Sequence, residues 1–164
     1  YITQSGPTSF TWTWLVDGEW GSEPMERVAA PQCVPFENVL TDFSGSWYET
    51  ARPGYGFSVL TFPDTEVEVT YLYDAAGVPR WLYGQDVSLK TGPFALTQYR
   101  GFCPQCEYQA IVGQTAGSLL RTFAASSDRG TANVDATFLP PLSGTWRTNA
   151  QIAKLTQLGF CGAP

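Results

Sequence analysis

The chain has 164 residues, 43% of them hydrophobic and 15% charged, which suits one domain with a packed core and not a disordered tail. Fifteen Asp and Glu against nine Lys and Arg give a net charge of −6, so nucleic acid and anionic membrane surfaces are poor partners, because phosphate binding needs a basic field. Histidine is absent, which removes Ser-His-Asp and Cys-His catalysis and every metal site that uses imidazole.

Strand periodicity runs almost throughout. Phe10, Trp12, Trp14 and Val16 alternate with Thr11, Thr13 and Leu15, and Asp17-Gly18 marks a turn. Pro31-Gln-Cys33-Val-Pro35 reads as a seam, since proline disfavours continuing a strand. Val67, Val69, Tyr71 and Tyr73 alternate with Glu66, Glu68, Thr70 and Leu72, as in a half-buried antiparallel strand. Further strands are expected over 56–62, 80–85, 94–100, 118–124, 132–138 and 145–155, separated by turn signals such as Asp74-Ala-Ala-Gly77-Val-Pro79, Thr91-Gly92-Pro93 and Pro140-Pro141. One short helix or 3₁₀ turn is allowed within 149–158 or 23–30.

About nine strands with short connections and no helical layer predict an all-β fold. An antiparallel up-and-down barrel of about eight strands is favoured because closure removes exposed edges, with a β-sandwich as the alternative. An extra N-terminal hairpin, residues 1–33, packs on or completes the barrel of residues 34–164. Phe10–Cys33 follows the same outline as Thr131–Cys161, which makes residues 1–33 a candidate closing hairpin of a preceding repeat. The chain begins at Tyr1 and its only methionine is Met25, so either a leader has been removed or the chain is a fragment of something longer. No apolar run approaches the ~20 residues needed to span a bilayer.

Four cysteines allow three pairings, of which Cys33–Cys161 with Cys103–Cys106 is favoured over a redox dithiol or a Cys₄ zinc site. An even cysteine count in an acidic chain with only Lys90 and Lys154 points to a secreted or periplasmic protein. No metal and no cofactor is expected.

The most specific stretch is Gly45-Ser-Trp47-Tyr48, Gly54-Tyr55-Gly56-Phe57 and Tyr71-Leu-Tyr73-Asp74-Ala-Ala-Gly77-Val-Pro79-Arg80-Trp81-Leu-Tyr83-Gly84. It resembles a recurrent, largely uncharacterised domain of secreted bacterial proteins, often found in tandem copies, with the pattern G-x-W-Y, G-x-G-F and Y-x-Y-D-x-x-G-x-P-x-W-L-x-G. The resemblance covers Gly45–Gly84 closely and implies export and repetition, with no reaction to carry over. A weaker resemblance to avidin-like and lipocalin-like barrels rests on G-x-W alone.

Twenty-four aromatic residues invite two readings. In one, Trp47, Phe57, Tyr71 and Trp81 plug the core. In the other, surplus rings line a binding surface with polar neighbours, as sugar rings require. The candidate lining comprises Tyr48, Tyr55, Tyr73, Trp81, Tyr83 and Tyr99 with Arg52, Asp74, Arg80, Gln85 and Gln98. For catalysis, Glu66 and Glu68 share a strand face opposite the apolar one and read as a solvated edge; with Asp64 they make at most a weak calcium site. Asp17, Glu19 and Asp128 belong to turns, and no carboxylate pair is nominated for hydrolysis. The expected function is therefore a non-catalytic module that binds a glycan or a protein. The alternatives are a purely structural repeat unit, a secreted inhibitor presenting the Asp74–Arg80 turn, and a carboxylate hydrolase.

Overall fold

The computed structural model describes residues 1–16, 18–27, 32–52, 54–101, 109–124, 128–156 and 161. Every regular element among them is a strand. The chain divides into two units, Tyr1–Ala30 and Pro31–Pro164.

In the first unit β1 (Ile2–Gln4), β2 (Ser9–Val16) and β3 (Glu19–Glu26) form an antiparallel sheet in the order β1-β2-β3. Gly18 turns the chain between β2 and β3 with a φ of 87°, a conformation that glycine reaches without strain.

The second unit begins with a hairpin, β4 (Val34–Phe36) and β5 (Val39–Thr41). Its two turn residues, Glu37 and Asn38, both have positive φ, as the tight hairpin turn whose twist matches its strands requires. Pro35 thus lies within a strand, while the boundary between the two units falls between Ala30 and Pro31, where the proline-bounded seam begins. Eight further strands follow: β6 (Gly45–Glu49), β7 (Gly56–Thr61), β8 (Glu66–Tyr73), β9 (Pro79–Asp86), β10 (Phe94–Arg100), β11 (Val112–Phe123), β12 (Arg129–Thr137) and β13 (Thr145–Lys154). Each pairs antiparallel with the next, and β13 pairs with β6, giving a closed up-and-down barrel. Closure excludes the sandwich, and the barrel needs no N-terminal strand to complete it. The helical turn allowed within 23–30 or 149–158 is not found among the described residues, since β3 runs through 23–26 and β13 through 149–154.

Alternation assigns one side of each strand to the interior. Trp47, Phe57, Val59, Leu72, Leu82, Phe94, Leu96, Leu119 and Ile152 fill it with almost no exposure. Phe43 stacks on Phe123 at 4.5 Å between ring centroids, Trp47 lies 4.7 Å from the same ring, and the Trp47 indole N–H donates to the Phe43 carbonyl at 2.9 Å. The core reading therefore holds for Trp47 and Phe57. It fails for Tyr71 and Trp81, which are 47% and 53% exposed on the outer wall.

The two glycines around Tyr55 serve different ends. Gly54 has φ 109°, and a Cβ on Gly56 would lie 2.2 Å from the Trp47 carbonyl oxygen, so β6 and β7 approach as closely as they do only because that position is bare. Cys33 and Cys161 form a disulfide across 128 residues with a Cα–Cα distance of 5.8 Å. Cys103 and Cys106 lie outside the described residues.

The largest departure from expectation is β8. Glu66, Glu68, Thr70 and Leu72 face inward with at most 1% exposure, and the more apolar row of Val67, Val69, Tyr71 and Tyr73 faces out. The acidic edge is an acidic interior. The cause is Arg121 of β11, whose guanidinium enters the barrel and supplies the counter-charge that buried carboxylates require.

Candidate functional site

The outer faces of β8, β9 and β10 carry a band of rings. Strand register places Tyr71 opposite Trp81 and Tyr83 opposite Thr97, which brings Trp81 level with Tyr99. Tyr71, Trp81 and Tyr99 thus form one rung across three strands, roughly 10 Å long at the usual strand spacing. Trp81 and Tyr99 have centroids 6.2 Å apart, and Tyr83 meets Tyr99 edge-on at 5.9 Å. The rung continues onto β11 at Gly113, the partner of Tyr99. A Cβ there would lie 2.8 Å from Tyr99 Cε1, so the phenol ring lies across the bare position as an aromatic ring commonly covers a strand glycine.

Two hollows flank the rung and share Trp81 as a wall. One, of about 140 Å³, is bounded by Gly54, Tyr71, Leu72, Tyr73, Pro79, Arg80 and Trp81. The other, of about 550 Å³, is bounded by Trp81, Tyr99, Arg100, Gly101 and Ile111. Polar groups stand beside the rings. The Tyr83 hydroxyl donates to Gln85 Oε1 at 2.5 Å, and the Ser58 hydroxyl lies 3.4 Å from that of Tyr71. Partial burial, reinforced by Tyr99, makes the Tyr83 phenol harder to ionise than a free tyrosine.

The turn bordering the smaller hollow is built by Asp74. Its Oδ1 accepts the backbone N–H groups of Ala76 (2.9 Å) and Val78 (3.0 Å), and its Oδ2 accepts Arg80 Nε at 2.9 Å. The Val78 N–H, followed by Arg80 and Ala76, holds this carboxyl below the usual carboxylate range. Ala75 N–H donates to the Ser143 carbonyl at 2.8 Å, tying the turn to the β12–β13 connection.

Of the eleven candidate residues, Tyr73, Trp81, Tyr83, Tyr99, Arg80 and Gln85 lie on or beside this surface, and Asp74 positions Arg80. The other four do not join it. Tyr48 faces outward from β6, beyond β7. Tyr55 is buried, its ring 5.4 Å from Trp146; burial, followed by the Glu49 charge, raises the pKa of its hydroxyl well above normal. Arg52 grips Glu49 with both ends of its fork (2.7 and 3.1 Å) and also donates to Thr148 Oγ1 at 2.8 Å, a structural clamp. Gln98 points inward and exchanges two hydrogen bonds with the Leu139 backbone, at 3.0 and 2.9 Å. Tyr71, Arg100, Ile111 and Gly113 complete the surface without having been candidates for it. For Tyr71 the signal was present, because it shares strand parity with Tyr73.

A second polar constellation lies inside the barrel. Arg121 Nε donates to Glu66 Oε1 and Glu68 Oε1, both at 2.9 Å, Nη2 donates to Glu66, and Nη1 donates to the Lys90 carbonyl at 2.7 Å. The guanidinium is flanked by the Phe94 and Phe123 rings at 4.6 and 5.0 Å. Burial pushes the Glu68 carboxyl well above the ordinary glutamate range; Arg121 opposes the shift and Glu66 adds to it. Both acids have 0% exposure, so the pair is closed to substrate. Among the described residues, no group of three or more acids or cysteines could hold a metal ion, and the Asp64, Glu66, Glu68 cluster does not form one.

No family model matches this chain, and neither a curated protein nor a solved structure matches it.

Proposed function

We propose that the barrel is a non-catalytic binding module of an exported bacterial protein, secreted or periplasmic, that takes a glycan on the rung Tyr71–Trp81–Tyr99. The observation that carries this reading is Trp81, a half-exposed indole shared by two hollows. Sugar rings pack their C–H faces on aromatic rings and spend their hydroxyls on adjacent polar groups, here Arg80, Gln85 and the tyrosine hydroxyls. A rung of roughly 10 Å suits on the order of two linked pyranose rings, with a hollow at each side of the central indole. The filled interior argues against a ligand in the lumen, and the closed Glu66–Glu68 pair argues against hydrolysis. Exposure of so many rings favours binding over a purely structural repeat. The Cys33–Cys161 bridge is consistent with an oxidising compartment, and the G-x-W-Y resemblance supports export and repetition.

A glycan array followed by tryptophan fluorescence titration tests the reading. Wild type should bind at least one class of oligosaccharide, and Trp81→Ala should weaken that binding by at least about tenfold while leaving the fold intact. Flat titrations across all sugars would sink it. An inhibitor remains the second reading, favoured by the way the Asp74–Arg80 turn is pinned by its own carboxylate and by Ser143. Protein capture lost on altering Val78 but not Trp81 would select it.

A further inference from the structure

The three-stranded unit carries an aromatic face of its own. Strand register pairs Trp12 with Glu23 and Trp14 with Gly21, so Phe10, Trp12 and Trp14 share a face with Glu19, Gly21 and Glu23. The Trp14 ring occupies the place of the missing side chain: a Cβ on Gly21 would lie 2.3 Å from Trp14 Cζ2 and 2.6 Å from Cε2. The indole therefore lies across β3, with Glu19 and Glu23 two residues away on either side, each ~7 Å from Gly21 along the strand. Both glutamates are exposed, and neither has an ion pair or side-chain hydrogen bond among the described residues. Asp17, Glu19, Glu23 and Glu26 face Arg27 alone in this unit, which thereby holds half of the chain's net negative charge in its first 30 residues.

An indole flanked by carboxylates matches the needs of a guanidinium. The cation packs on the ring face while its N–H groups reach the acids, and the planar arginine head does this better than lysine. Partners are steered to the face and away from the edge of β3, because Pro24 interrupts its row of donors and the glutamates repel strand addition. We propose that this face docks a basic segment of a protein partner, with an arginine seated on Trp14 between Glu19 and Glu23. The proposal is independent of the barrel's aromatic rung.

The test titrates the whole chain with an acetylated octapeptide of alternating Arg and Thr, by calorimetry, using the Asp-Thr peptide as control. The Arg peptide alone should bind, less tightly at raised salt, and about tenfold less tightly to the Glu19→Gln/Glu23→Gln double variant. Trp14→Ala should abolish binding; if it disturbs the sheet, the isosteric glutamines still decide. Trp81→Ala should leave the affinity unchanged, so failure of this site and failure of the glycan reading are told apart. Three outcomes overturn the proposal: no binding at millimolar peptide, binding indifferent to the glutamines, or self-association lost in Trp14→Ala without peptide binding. The last would assign the face to a second copy of the chain.

Discussion

Arg121 Nε lies 2.9 Å from Glu68 Oε1 inside the barrel, where Glu68 has no exposure and Arg121 almost none. One guanidinium can balance one carboxylate charge, yet two acids share it, and its Nη1 also holds the Lys90 carbonyl of the β9–β10 connection. Removing it strands buried acids and releases that connection together. Arg121→Ala should therefore destabilise the barrel by about 3–5 kcal/mol, read as a shifted urea midpoint. Replacing Glu66, Glu68 and Arg121 together with apolar residues of similar volume should cost far less, since the desolvation penalty disappears with the charges. A triple variant no more stable than Arg121→Ala would contradict this account.

The same site sets a pH dependence. In the folded protein Glu68 keeps its proton above the ordinary glutamate value of 4.5, because burial disfavours the charge. Across the window between that value and the raised one, the folded state binds more protons than the unfolded state. Stability must then fall as pH rises through the window and level off above it. Glu68→Gln cannot ionise and should lose this component, so its stability relative to wild type should rise as the pH is raised above 4.5 in urea unfolding. A constant difference over that range would show that Glu68 does not titrate differently on folding.

Much of this architecture is legible in the chain, and β8 marks where legibility ends. The alternation of Glu66, Glu68 and Thr70 with Val67, Val69 and Tyr71 defines two faces and leaves open which one is inside. The apolar row is the ordinary choice for the interior, and here it is the outer wall, because Arg121 reaches in from β11, 53 residues beyond Glu68. No local pattern connects those positions. The consequence spreads to the site: with the faces inverted, Tyr71 reads as core when its parity with Tyr73 places both outside. Gln98 and Arg52 fail for a related reason, as polar side chains that close the barrel look no different in sequence from polar side chains that meet a ligand. The β4–β5 hairpin escapes because its turn is Glu37-Asn38, without the glycine that signals a tight hairpin, and its strands have three residues each.

Gly113 offers a way to test the rung without touching a ring. Tyr99 lies across it, and a Cβ would also meet Thr97 Cγ2 at 2.9 Å. Gly113→Val should push the phenol off β11, disturb its contact with Trp81 and alter the indole emission, while the interior on the other side of the strand stays packed. The expected result is a change in tryptophan fluorescence and a loss of ligand affinity of about tenfold, with an unfolding midpoint close to wild type. Unchanged fluorescence would mean that Tyr99 is not held by this glycine.

Cys33 precedes β4 and Cys161 follows β13, so their bridge joins the entry and exit of the barrel unit close to where β13 meets β6. Only Ile152, Ala153 and Lys154 of β13 pair with β6, against nine rungs between β12 and β13. The closing seam is thus among the shortest in the ring, and the covalent link limits how far its two ends can part in the unfolded chain. For a loop of this length the chain-entropy model gives a contribution of about 4–5 kcal/mol. The Cys33→Ser/Cys161→Ser variant should unfold at correspondingly lower urea, and amide exchange should rise first along β6 and the end of β13. Exchange rising uniformly over all eight strands would instead indicate that the bridge acts on the unfolded state alone and does not guard the seam.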